Sequence, residues 1–114
     1  MNGDSYGISK DTWQKVIVEF EKVSTLKEVI LYGSRAKGNY KNGSDIDLCL
    51  KGDQVELSDM YQLQLSLDEL YLPYTFDVTI YSKISNPDLI NHIDRVGKTL
   101  YNSADIKLSA NSAY

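Results

Sequence analysis

Asp45 and Asp47 stand in a stretch, Asp45 to Leu50, where Ile46, Leu48 and Leu50 alternate with Asp45, Asp47 and Cys49. That period of two is the period of a β-strand, and residues two apart on a strand project to one face with Cα atoms about 6.5 to 7 Å apart. The two carboxylates can therefore converge on a shared cation. Asp77 lies in another alternating stretch, with Phe76, Val78 and Ile80 opposite Asp77, Thr79 and Tyr81, and supplies a third strand-borne acid. Three close carboxylates repel one another, and a metal is the simplest physical account of such crowding. Mg²⁺ prefers oxygen ligands and leaves positions open for substrate phosphates. Two such ions about 3.5 to 4 Å apart can serve an in-line phosphoryl or nucleotidyl displacement.

The strand carrying Asp45 and Asp47 follows a turn suited to phosphate. Val29 to Tyr32 is a short β-branched and aromatic run ending at Gly33. A glycine at a strand end allows close backbone approach, and amides at a following helix start bind anions. The Ser34 hydroxyl can add a hydrogen bond, while Arg35, Lys37 and Lys41 offer local positive charge for a triphosphate. The stretch from Arg35 to Ser44 is polar, with Gly38, Asn39, Asn42 and Gly43, and reads as a short helical turn followed by a loop.

The remaining elements must hold these groups in place. Trp13, Val16, Ile17, Phe20 and Val23 recur at helical spacing over Asp11 to Val23, with Ser9 or Asp11 as cap. A second helix is expected over Ser58 to Tyr71, with Met60, Leu63, Leu67 and Leu70 on one face. Asn86-Pro87-Asp88 opens a third through Leu89, Ile90, Ile93 and Val96, which Gly97 can close. The order helix, strand, strand, helix, strand, helix indicates one α/β (α+β) domain: a small mixed β-sheet packed with helices.

Composition narrows the function classes. A chain of 114 residues fits a single domain and is too small for a catalytic domain plus a separate substrate-binding one. A net charge of -4 argues against a sequence-independent grip on nucleic acid, which relies on Lys and Arg neutralising phosphates. No stretch approaches the length of a membrane span and the first residues lack a signal-like apolar core. The single cysteine, Cys49, cannot form an internal disulfide and sits in an apolar run, so a reducing, cytoplasmic location is expected.

The pattern Gly33-Ser34, ten residues, then Asp45-Ile46-Asp47 resembles the signature of the DNA polymerase β superfamily of nucleotidyltransferases. The segment from Gly33 to Asn39 and from Ser44 to Leu48 is most similar to the minimal nucleotidyltransferase (MNT) family, single-domain members encoded beside a HEPN protein. The resemblance covers about Lys27 to Tyr101 and implies a polymerase β-like fold over residues 1–101, followed by a polar tail, 102–114. It implies that Asp45, Asp47 and Asp77 are the catalytic, metal-binding acids, that Asp77 helps activate the acceptor, and that Gly33 and Ser34 hold the triphosphate. The implied reaction is Mg²⁺-dependent transfer of AMP from ATP to a hydroxyl, with release of pyrophosphate. The acceptor in HEPN-paired members is a tyrosine of the helical HEPN toxin, and its AMPylation makes the enzyme the antitoxin of a type VII-like toxin-antitoxin pair. A hetero-oligomer is the expected assembly.

Plainer roles compete at each position. The acids can be solvated strand residues, Gly33 a turn glycine, Ser34 a helix cap, and Lys37 and Lys41 ordinary surface cations. Gly33 to Gly38 is not a P-loop, because Asn39-Tyr40 stands where Lys-Ser or Lys-Thr is required. His92 has no second His or Cys near it, which favours a structural or exposed role over zinc binding. Trp13 reads as core. At the level of function, a non-catalytic antitoxin acting by binding alone and a small-molecule (antibiotic) nucleotidyltransferase are the alternatives.

Overall fold

The computed structural model describes residues 5–105. The chain forms helix α1 (Lys10–Glu21), strand β1 (Glu28–Tyr32), helix α2 (Gly33–Lys37), strand β2 (Ile46–Lys51), helix α3 (Leu57–Asp68) and strand β3 (Phe76–Ile80). A 3₁₀ turn (Tyr81–Lys83), helix α4 (Pro87–Val96) and strand β4 (Lys98–Asn102) complete it. The strands make one mixed sheet in the order β3-β2-β1-β4. β1 is antiparallel to both β2 and β4, whereas β2 and β3 run parallel and are joined through α3.

The caps read from the sequence are largely those observed. Ser9 caps α1, its hydroxyl accepting the Thr12 N–H. Asn86 caps α4 by accepting the Asp88 N–H, with Pro87 in the first turn where its missing donor is harmless. α3 starts one residue earlier and ends three earlier than the apolar periodicity suggests. Its start is set by a capping box between Glu56 and Asp59, and the chain leaves the helix through Tyr71 at a φ of 53°.

Period-two alternation divides the core. On one face Val29 and Leu31 of β1, Ile46, Leu48 and Leu50 of β2, and Phe76, Val78 and Ile80 of β3 meet Trp13, Val16 and Phe20 of α1 and Leu63 and Leu67 of α3. On the other, Ile30, Tyr32 and Cys49 meet Ile93 of α4, with Leu89, Tyr81 and Ile84 at the margin. Cys49 is fully buried there, and burial pushes its thiol up to about 12, so it behaves as a small hydrophobe. Because Asp47, Asp77 and Cys49 alternate out of the larger core, the acids lie on the same sheet face as α4.

β4 is the element that sequence reading misses: no strand is expected between the helix that Gly97 closes and the polar tail. Lys98–Asn102 holds Leu100 and Tyr101 side by side and therefore shows no alternation. Pairing with β1 makes it a strand, with Val29 opposite Tyr101, Ile30 opposite Thr99 and a register shift between them. The strand reaches Asn102, and residues 106–114 of the expected tail lie outside the described residues. No helix of the described residues is long and apolar enough to cross a membrane.

Gly97 closes α4 in extended backbone, and its role is one of space. A Cβ there would collide with the Ile93 carbonyl oxygen and the Ile30 side chain, so only glycine lets the end of α4 lie this close to β1. Gly97→Ala is expected to destabilise the fold by about 1 to 3 kcal/mol, the usual cost of overpacking, read as a lowered midpoint in urea unfolding.

Candidate active site

The site is built where three chain segments meet at one end of the sheet. Antiparallel pairing sets Tyr32 of β1 opposite Asp47 of β2, and parallel pairing sets Asp47 opposite Asp77 of β3. Tyr32, Asp47 and Asp77 thus form one row across adjacent strands, neighbours being about 5 Å apart in the hydrogen-bonding direction. Asp45 comes immediately before β2, which starts at Ile46 rather than at Asp45 as the alternation suggests. Asp77 and Asp45 are exposed and Asp47 is half-buried.

Gly33 follows Tyr32 directly and has a φ of +76°, a region that favours glycine. A Cβ on it would collide with the Asp47 carboxylate. The glycine is therefore required twice, by its backbone angle and by the approach of the acid. Ser34, half-buried, lies in the first turn of α2, and its carbonyl accepts N–H groups from Gly38 and Asn39 to end the helix. Lys37 is exposed in the last turn of α2, and Lys41 is exposed in the following loop.

Arg35 corrects the sequence reading. Its expected place against a triphosphate is not the one observed: the side chain is 2% exposed and its donors are engaged by backbone carbonyls. Nη1 donates to Tyr6 O at 2.9 Å, and Nε and Nη2 donate to Ser44 O at 3.2 and 2.9 Å. The guanidinium also lies 5.3 Å from the ring centroids of both Tyr40 and Tyr74. Arg35 thus ties α2 to the residue that precedes Asp45. A lysine cannot reproduce this forked pattern, and Arg35→Lys is expected to cost about 2 to 3 kcal/mol of stability, measured by chemical unfolding without nucleotide or metal.

Two other residues of the site escape sequence reading. Tyr32 is buried, and burial first, then the charges of Asp77 and Asp47, push its hydroxyl up. His92 of α4 accepts the Gly33 N–H at Nε2, 3.0 Å away, and packs edge-on against Tyr32. The available signal is its position: residues 89, 92, 93 and 96 share one helical face, so the histidine belongs to an otherwise apolar stripe.

The three carboxylates supply the kind of oxygen ligand that a hard divalent cation prefers. Among the described residues none of the three aspartates forms a salt bridge. The Asp47 carboxyl is pushed up to about 6, by burial first and then by Asp77 and Asp45, with Arg35 opposing. Oxygen ligands crowded to this degree suit a hard ion that would neutralise them. Among the described residues, no group of three His, Cys, Asp or Glu side chains is placed to hold a metal ion.

This crowding has a pH signature. The unfolded carboxyl titrates near 3.8 and the folded one near 6, so the folded state binds more protons between those values. Its stability must then fall as pH rises through that window, and the penalty persists above it. In EDTA, Asp47→Asn is expected to raise the thermal midpoint at pH 8 and to leave it unchanged at pH 4. Mg²⁺ at pH 8 is expected to raise the wild-type midpoint more than the variant's.

Comparison with known proteins agrees with this fold. No curated protein sequence matches the chain. A crystallised toxin-antitoxin with AMP-PNP has 20% identity and a TM-score of 0.66, over 88% of this chain and 82% of that one. The MntA-HepT toxin-antitoxin has 18% identity and a TM-score of 0.62, over 91% and 82% respectively. A complex of MNT antitoxin with tri-AMPylated HEPN toxin from Shewanella oneidensis has 18% identity and a TM-score of 0.62, over 87% and 77%. At these identities the likeness is one of fold. Residues 14–106 match the family described as Polymerase beta, Nucleotidyltransferase; they take in every strand, the Gly33-Ser34 turn and the three aspartates, and the chain belongs to that family.

Proposed function

We propose that this nucleotidyltransferase domain transfers AMP from ATP to a tyrosine hydroxyl of a helical HEPN-type toxin, in a Mg²⁺-dependent reaction, and so acts as the antitoxin of a cytoplasmic pair. The observation that carries this reading is the in-register row of Asp47 and Asp77 with Gly33 against it. Support for nucleotide and partner comes from the similar folds, which include a toxin-antitoxin with AMP-PNP and a tri-AMPylated HEPN toxin with its MNT antitoxin. The buried lone cysteine fits a reducing compartment.

Asp45, Asp47 and Asp77 are the residues that would hold a pair of Mg²⁺ ions. When bound, such ions lower the pKa of an attacking hydroxyl and stabilise the charge on the leaving phosphate. The turn at Gly33 sets the start of α2 beside the acids, and the Ser34 hydroxyl with the Ser34 and Arg35 amides binds the triphosphate oxygens. Lys37, at the exposed end of α2, adds positive charge. Asp77, exposed at the edge of the row, receives the acceptor hydroxyl and takes its proton. The acceptor oxygen bonds to the α-phosphorus, the bond from that phosphorus to the bridging oxygen breaks, and pyrophosphate leaves.

The test is incubation with Mg²⁺, ATP labelled on the α-phosphate, and a helical HEPN-type protein. Wild type is expected to label a tyrosine of that protein. Asp47→Asn is expected to slow labelling at least about a hundredfold, which corresponds to about 2.7 kcal/mol or more of lost transition-state stabilisation. Equal labelling by the variant sinks the catalytic role of Asp47. Neutralisation of the toxin without nucleotide by Asp45→Ala plus Asp47→Ala replaces transfer with inhibition by binding alone.

A further inference from the structure

Gly33 opens α2, and the first N–H groups of a helix have no acceptor within it. Its own N–H is drawn back to α4 and given to His92 Nε2 at 3.0 Å. An imidazole nitrogen accepts only through its lone pair, so the ring is neutral and carries its hydrogen on Nδ1. The ring cannot easily turn away. It stands edge-on to Tyr32, with centroids 6.1 Å apart and planes at 80°. Its helix is seated on β1 by the close approach at Gly97.

What this bond holds is the junction of the two halves of the site. Gly33 sits between Tyr32, the register partner of Asp47, and Ser34. Its left-handed backbone angle brings it against the Asp47 carboxylate. Turning the peptide between Tyr32 and Gly33 would move the following amides relative to the acids. The histidine reaches that peptide from a helix 59 residues further along the chain, and the bond is part-buried.

We propose that His92 is a positioning residue of the nucleotide site: as the Nδ1–H tautomer it accepts the Gly33 N–H and holds the Gly33-Ser34 turn in the shape that receives a triphosphate. The proposal rests on the reading that this site binds ATP. It assigns His92 no contact with the reacting atoms.

The first test needs neither nucleotide nor partner. Long-range nitrogen-proton NMR of the wild-type imidazole at pH 8 is expected to show Nε2 bare and Nδ1 protonated, and the opposite tautomer overturns the proposal. The second compares His92→Leu, which removes the acceptor, with His92→Gln, whose side-chain oxygen can take its place. His92→Leu is expected to weaken calorimetric Mg·ATP binding about tenfold, equivalent to about 1.4 kcal/mol, and to raise KM for ATP by a similar factor. Its kcat at saturating ATP is expected to stay within about threefold of wild type, because the acids that would hold the metal ions are unchanged. His92→Gln is expected to recover most of the affinity.

A leucine variant that binds Mg·ATP like wild type overturns the proposal, as does a glutamine variant as impaired as the leucine one. If His92→Leu does not fold, the wild-type tautomer and the His92→Gln affinity still decide. Wild type that binds no Mg·ATP overturns the nucleotide reading itself, and the tautomer then reports on the His92 to Gly33 bond alone.

Discussion

Asp47 and Asp77 are held side by side on adjacent parallel strands, and this forced proximity of like charges is the constraint around which the site is arranged. A fold left to itself would separate them, because each charge raises the cost of ionising the other. Here backbone hydrogen bonds of the sheet impose the register, and burial of Ile46, Leu48, Phe76 and Val78 on the opposite face locks it. A slip of one residue in either strand would turn its apolar set out of the core. The acids are thus kept together by the hydrophobic effect acting on their neighbours. The electrostatic penalty concentrates on Asp47, the half-buried member of the set.

Arg35 shows how the second half of the motif is coupled to the first. Its guanidinium is the charged group buried among the core residues, and every such group carries a desolvation cost. Hydrogen bonds to Ser44 O and Tyr6 O, with Tyr40 and Tyr74 beside it, offset that cost. In return, α2 and the residue before Asp45 move as one unit. The ten residues between Gly33-Ser34 and Asp45 are therefore a closed loop with an internal clasp, and the fixed spacing has a mechanical reason. The same guanidinium lowers the Asp47 pKa slightly against the larger upward effects of burial and neighbouring acids.

The acids and the glycine turn were legible because their signals are local. Alternation over Asp45 to Leu50 and Phe76 to Tyr81 identifies the strands and their polar face, and Gly33 at the end of an apolar run identifies the turn. The roles of Arg35 and His92 were not legible, since both depend on contacts made across the fold. A cation beside a glycine-serine turn looks the same in sequence whether it faces a phosphate or the carbonyl of Ser44. The β4 strand was hidden for a related reason. Leu100 and Tyr101 break the alternation, and only the free edge of β1 makes Lys98–Asn102 extended. Cys49 was readable as a small hydrophobe, but the second core beneath α4 that buries it was not.

The mixed character of the sheet is itself a requirement of the site. β1 ends at Tyr32 and Gly33, whereas Asp47 and Asp77 lie near the starts of β2 and β3. Antiparallel pairing is what brings the end of β1 beside the start of β2. Parallel pairing is what brings the start of β3 beside the start of β2. Reversing β3 about its centre would set Asp77 opposite Cys49 rather than Asp47, two residues further along the sheet, or roughly 7 Å at about 3.3 Å per residue. Reversing β1 would remove the glycine turn from the acids in the same way. A parallel neighbour needs a crossover, which α3 supplies while covering the large core. The opposite face at the strand ends is left to the acids, bounded by α2 and by the His92 end of α4. The meeting of the acids with the glycine turn thus follows from strand direction before side-chain contacts are considered.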